Sequence, residues 1–89
     1  MEEFRWNPLK SERLKRTRGV SFEEIITAKL VDFKDNYSRE DQKMLLYDYK
    51  NYIWLVPCVQ KEGVLFLKTL YPSRKYTRIY RREKKHEKD

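Results

Sequence analysis

The spacing of apolar side chains changes period twice along the chain, from helical to strand-like near residue 43 and back to helical after Pro72. Asn7-Pro8 is a helix start: Asn caps exposed N–H groups, and Pro at the first helical position lacks an N–H that would have no partner there. This helix is predicted to end at Gly19, which takes a left-handed conformation without a Cβ clash. Leu9 and Leu14 are its only clearly apolar members, so it lies against the body along a narrow strip. Ser21 with Glu24 makes a capping-box pattern, and Val20 with Ile25 has the spacing of a hydrophobic staple. Phe22, Ile25, Ile26 and Leu30 recur at helical spacing, which predicts a second helix from about Phe22 to Val31 packed on a sheet. Ahead of both helices, Glu3–Trp6 reads as a short strand.

Residues 34–42 are polar and read as a loop. Beyond them Lys43–Tyr49, Tyr52–Gln60 and Val64–Tyr71 are rich in aliphatic and aromatic residues and read as strands. Lys50-Asn51 supplies a two-residue turn, and Lys61-Glu62-Gly63 a three-residue hairpin loop with Gly at its left-handed position. Both alternating sets of the middle strand are apolar, which places it centrally in a three-strand antiparallel meander. Pro72-Ser73 ends the sheet and opens a last helix. Tyr76, Ile79, Tyr80 and Glu83 cluster on one side of it, and Arg74, Arg78, Arg81 and Lys85 on the other. The expected fold class is α+β: a small antiparallel sheet packed with two N-terminal helices and one C-terminal helix. One domain covers residues 1–85, with 86–89 as a frayed tail.

Composition narrows the class. Eighty-nine residues support one small domain, and 39% apolar residues with 15% aromatics supply one thin core. The longest apolar run, Tyr52 to Val59, is far too short to span a bilayer, and no signal-like segment follows Met1, so a cytoplasmic protein without membrane contact is expected. A single Cys excludes an internal disulfide and fits a reducing compartment; Cys58, inside the central strand, reads as a small hydrophobe. With one His and one Cys there is no zinc site, and no cofactor is expected.

Charge places the candidate chemistry. The net charge is +7, and residues 1–18, 19–71 and 72–89 contribute +3, −1 and +5. The whole excess sits at the two ends, which would make one polyanion-binding surface if the fold joined them. Lys10 and Arg13 on the first helix, and Arg81, Arg82 and Lys85 on the last, are candidates for RNA contact. Metal-independent RNA cleavage needs a group to take the 2′-hydroxyl proton, one to protonate the leaving 5′-oxygen, and cations around the phosphorane. Lys68, Arg74, Lys75 and Arg78 are the candidates for this catalytic set. Lys68 alternates with Val64, Phe66 and Leu70, a charge on an otherwise apolar face, facing a cleft or snorkelling at a sheet edge. Arginine stabilises charge but is a poor base. The one histidine, His86, reads as a solvated tail residue. Tyr37, Tyr49 and Tyr71 are aromatics that can stack on bases if exposed.

The stretch Phe4-Arg5-Trp6-Asn7-Pro8, followed by Lys10, Leu14, Gly19 and Val20-Ser21-Phe22-Glu23-Glu24, resembles the opening of the BrnT family of type II toxins. Ser73-Arg74-Lys75-Tyr76-Thr77 resembles that family's Ala-Arg-Lys-Ala-Thr segment after the last strand. The chain departs from the pattern at Arg18, where the family often has His, at Tyr76, where it has a small residue, and at Ile79-Tyr80, where Glu-Arg often follows. The resemblance implies a RelE-like ribonuclease fold and an endoribonuclease that inhibits translation. It also implies a cognate BrnA-like antitoxin with a ribbon-helix-helix part, and contact with operator DNA only through the antitoxin complex. By position, Arg74, Lys75 and Thr77 inherit the short motif. Two other readings use the same basic surface: a non-catalytic RNA- or DNA-binding module, and an inactive toxin relative acting through protein interaction.

Overall fold

A computed structural model describes residues 3–35 and 41–88, with the backbone alone for residues 82–88. The elements run β1 (Glu3–Arg5), α1 (Pro8–Arg18), α2 (Phe22–Ile25), β2 (Lys29–Asp35), β3 (Gln42–Tyr49), β4 (Tyr52–Lys61), β5 (Val64–Leu67), β6 (Tyr71–Pro72) and α3 (Arg74–Lys88). The sheet order is β1-β5-β4-β3-β2, with β6 also pairing β4. The β2–β5 meander is antiparallel, whereas β1 joins β5 in parallel. The α+β class holds, and the meander has one strand more than the apolar pattern predicted.

Local chemistry accounts for α1. The Asn7 side chain accepts from the N–H groups of Leu9 and Lys10, Pro8 opens the helix, and Gly19 closes it at φ 79°. The second predicted helix is corrected. The capping box at Ser21 and Glu24 forms, but the helix stops after Ile25. Thr27 and Ala28 bond back three residues to Glu24 and Ile25, tightening the last turn, and the Thr27 hydroxyl also donates to the Glu24 carbonyl at 2.7 Å. From Lys29 the chain extends and pairs with β3 as far as Asp35 and Lys43. Helical spacing through Leu30 thus loses to a strand ladder, and Leu30 is 46% exposed. The polar stretch expected as a loop is also divided, since β2 reaches Asp35 and β3 begins at Gln42; Tyr37 lies outside the described residues.

Both hairpins close on left-handed residues. Lys50 and Asn51 have φ of 51° and 63°, the geometry that suits the right-handed twist of the flanking strands. Lys61 pairs with Val64, so the second loop is Glu62-Gly63, two residues rather than the three expected.

The central strand is apolar on both faces because each face carries a core. On one, Val56, Cys58, Leu45, Tyr47, Leu65, Leu67 and Leu70 pack with Leu14 of α1, Val20 of the connection, and Phe22 and Ile25 of α2. On the other, Leu46, Ile53 and Leu55 pack with Tyr76 and Tyr80 of α3. Helix α1 and helix α3 therefore lie on opposite sides of the sheet. The alternation that put Lys68 with Leu70 ends at Leu67: Leu70 is fully buried in the first core, and Lys68 is exposed after β5.

Candidate functional site

Helix α3 is fastened to the sheet by its first turn. The Ser73 hydroxyl accepts from the Tyr76 N–H at 3.1 Å, capping the helix. The Ser73 N–H donates to the Ile53 carbonyl at 2.8 Å, and the Ile53 N–H donates to Thr77 Oγ1 at 2.8 Å. Thr77 Oγ1 in turn donates to the Ser73 carbonyl at 2.6 Å. Both main-chain polar groups of a buried strand residue are thus satisfied by a helix end, which carries the β6–β4 pairing on into α3. Within the motif of residues 73–77, Ser73 and Thr77 hold the helix, leaving Arg74 and Lys75 exposed beside them, with Arg78 next.

This fastening rolls the helix away from its expected seat. Thr77 is buried, and Ile79, expected to dock with Tyr76 and Tyr80, is 39% exposed. A hydroxyl that pairs a buried N–H outweighs one more apolar contact. Tyr76 and Tyr80 do dock, with ring centroids 6.5 Å apart. The Tyr80 hydroxyl donates to Asp32 Oδ2 at 2.9 Å. That bond, then the Phe33 N–H and the ammonium of Lys34 at 3.8 Å, hold the Asp32 carboxyl below its ordinary pKa. Lys34 and Lys75 stand over the Tyr76 ring at 5.2 and 5.6 Å from its centroid.

Between β2, the β3–β4 turn and α3 lies a cleft of about 440 Å³. Leu30, Val31, Tyr52, Ile53, Thr77 and Tyr80 are among the residues that line it. Asn51, Asp48, Lys29 and Arg81 complete it. The Arg81 guanidinium donates to the Asn51 carbonyl, a neutral partner that leaves its charge uncompensated. Among the described residues no carboxylate lies within ion-pairing distance of Lys29, Arg74, Lys75, Arg78 or Arg81, whereas Lys15 pairs with Glu24 and Lys43 with Asp35. No three His, Cys, Asp or Glu side chains among the described residues gather as a metal-ligating group.

The predicted site residues fall into three places. Arg74, Lys75, Arg78 and Arg81 share the α3 side of the sheet. Lys68 is apart from them: its N–H donates to the Pro57 carbonyl at 2.9 Å, whereas α3 begins at Ile53, roughly 13 Å back along β4 at strand rise. Lys10 and Arg13 sit on α1, on the opposite side of the sheet from Arg74, Lys75, Arg78 and Arg81. The side chains of Arg82, Lys85 and His86 lie outside the described residues; the backbone there is helical through Lys88, including part of the expected tail. Tyr49 and Tyr71 are half-buried against the two cores. Sequence reasoning missed Asp32, Lys29, Asp48 and Tyr52. A carboxylate alternating with Val31 and Phe33 was the available signal for Asp32, hidden by reading that stretch as helix.

No family model matches the chain, and a search of curated proteins finds no similar sequence. Among solved structures, the fold is similar to the 1.1 Å crystal structure of the Brucella abortus ribonuclease toxin BrnT. The similarity spans 82% of this chain and 97% of that one, with a TM-score of 0.53 and 15% identity. At that identity the likeness is one of fold, and the chain has the BrnT-like α+β fold that its two end motifs implied.

Proposed function

We propose that the protein is the toxin of a type II toxin–antitoxin pair: a metal-independent endoribonuclease that arrests translation in the cytoplasm until a ribbon-helix-helix antitoxin covers it. The observation that carries this reading is the likeness of fold to a ribonuclease toxin over most of both chains. The α3 side supports it chemically. Arg74, Lys75 and Arg78 are exposed cations without carboxylate partners among the described residues, and such groups stabilise the extra charge of a phosphorane. Lys68 lies further along the same side of β4 and contacts the strand flanking the cleaved bond. Arg81, Arg82 and Lys85 extend the RNA track along α3. Lys10 and Arg13, across the sheet, serve a second RNA contact.

Purified protein incubated with a structured RNA should shorten it, and expression should arrest growth. The double variant Arg74→Ala, Arg78→Ala should lose both effects while keeping the wild-type melting temperature. Full toxicity of that variant would remove these residues from the site. Salt-sensitive binding to intact RNA without any cleavage would favour a non-catalytic binding module instead.

A further inference from the structure

Helix α3 covers only one end of its side of the sheet. Tyr76 and Tyr80 pack on Leu46, Ile53 and Leu55, and the strands carry the same face on beyond them. Side chains opposite one another on paired strands, and those two apart along one strand, share a face. The next row across is therefore Lys34, Met44 and Pro57, with Lys68 beside them through its N–H on the Pro57 carbonyl. Beyond it come Val59, Phe66 and Arg5, and then Lys61. Met44, Pro57 and Val59 are partly exposed, and Phe66 is 44% exposed. The centre of this open face is apolar and its margins are cationic.

Any occupant must suit both. Lys61 and Lys68 are exposed, with no carboxylate in ion-pairing distance among the described residues. Arg5 lies 3.3 Å from Glu3, and Lys34 3.8 Å from Asp32; such exposed pairs contribute little, so a phosphate can compete for either cation. The Phe66 ring has no aromatic or cationic partner among the described residues. A sheet face, unlike a sheet edge, offers a peptide strand no backbone hydrogen bonds. Single-stranded nucleic acid needs none, because every base has a face that stacks and every nucleotide carries a phosphate. The platform also runs on to the cations of α3, since Lys34 and Lys75 both stand over the Tyr76 ring.

We infer that the open part of this sheet face is a platform for single-stranded RNA, with one base stacked on Phe66 and phosphates on either side held by Lys61 and Lys68. The inference rests on the RNA substrate proposed above and adds the ring that grips the strand leading to Arg74 and Lys75. Stacking on Phe66 accepts any base, because all four present a π-face.

The test uses the full chain and a fluorescent single-stranded 2′-O-methyl oligonucleotide, whose blocked 2′-oxygens prevent cleavage, with binding read by anisotropy. Phe66→Ala should weaken binding about tenfold at an unchanged melting temperature, the scale of one stacked base. Phe66→Trp should keep the affinity, whereas Phe66→Leu, apolar but without a π-face, should lose it. Phe33→Ala removes a similarly exposed ring, 41%, from the other face of the sheet, where Phe33 pairs with Leu45, and should change nothing. Lys61→Ala should flatten the slope of log affinity against log salt by about 0.7, one phosphate contact on a single strand. Wild-type affinity in Phe66→Leu, or equal losses in Phe66→Ala and Phe33→Ala, would overturn the inference. Self-association that Phe66→Ala abolishes while RNA affinity stays unchanged would assign the face to a second copy of the chain instead. Cleavage assays separate the two proposals. Binding that depends on Phe66, with no cleavage of natural RNA, refutes the ribonuclease reading and leaves the platform standing. Cleavage by Phe66→Ala at unchanged KM refutes the platform and leaves the ribonuclease.

Discussion

Replacing Thr77 by Val tests whether a single hydroxyl holds α3 on the sheet. The substitution nearly preserves shape but removes both the acceptor for the Ile53 N–H and the donor to the Ser73 carbonyl. The Ser73 carbonyl keeps its helical bond from the Thr77 N–H at 3.1 Å, so its loss is minor. The Ile53 N–H has no such reserve, because Ile53 is 4% exposed and its N–H donates to Thr77 Oγ1. An orphaned buried donor costs about 1–3 kcal/mol. At roughly 4–8 °C per kcal/mol for a domain of this size, a loss of about 2 kcal/mol lowers Tm by roughly 8–16 °C. Thr77→Ser keeps the hydroxyl and gives up one methyl, about 0.8 kcal/mol. Thermal melting ranks the two variants, and amide exchange at Ile53 reads the bond directly: fast in Thr77→Val, protected in Thr77→Ser. If Thr77→Val melted within about 2 °C of the wild type, or Thr77→Ser fell as far as Thr77→Val, the fastening would not be a determinant of stability.

Ser11 plays the matching part on the other face. It is 1% exposed and accepts from the Phe22 N–H at 2.9 Å while donating to Glu23, so Ser11→Ala should cost about 1–3 kcal/mol in urea unfolding. Glu24 has its pKa lowered from 4.5 to about 2, first by the hydrogen bond from Lys15 and then by the Ser21 N–H. A depressed acid stabilises the fold above its unfolded pKa and loses that contribution as pH falls through the folded one. The wild type should therefore lose stability between pH 4.5 and about 2 more steeply than Glu24→Gln, as read by urea midpoints across that window. Tyr80→Phe removes the main cause of the lowered Asp32 pKa, so the carboxyl resonance of Asp32 should titrate at higher pH than in the wild type. An unchanged titration would assign that shift to the Phe33 N–H and Lys34 instead.

The parts legible in the sequence were those whose cause is local. Asn7-Pro8, Gly19 and the Ser21–Glu24 box act through bonds within a few residues, so their geometry follows from side-chain type and spacing. Alternation likewise placed β3, β4 and β5, since burial on a sheet has period two. The helix expected across residues 22–31 failed because Lys29–Asp35 answers to β3, a partner separated from it along the chain. The cleft was out of reach for the same reason: Lys29, Asp48 and Arg81 are brought together only by the β2–β3 register and by the seat of α3.

The sequence by itself determined a basic α+β domain, its helix caps, its central strand and the cationic stripe of the last helix. Tertiary structure decided where that stripe faces. The phasing of α3 drew attention to Tyr76, Ile79 and Tyr80, whereas the buried N–H of Ile53 needed an acceptor and drew Thr77 inward. That demand turned Ile79 toward solvent and set Arg81 over the Asn51 carbonyl at the cleft. Helix α1, with Lys10 and Arg13, packs through Leu14 on the far side of the sheet. Net charge is a property of composition, but which charges share a surface depends on which backbone groups must be paired when the layers close.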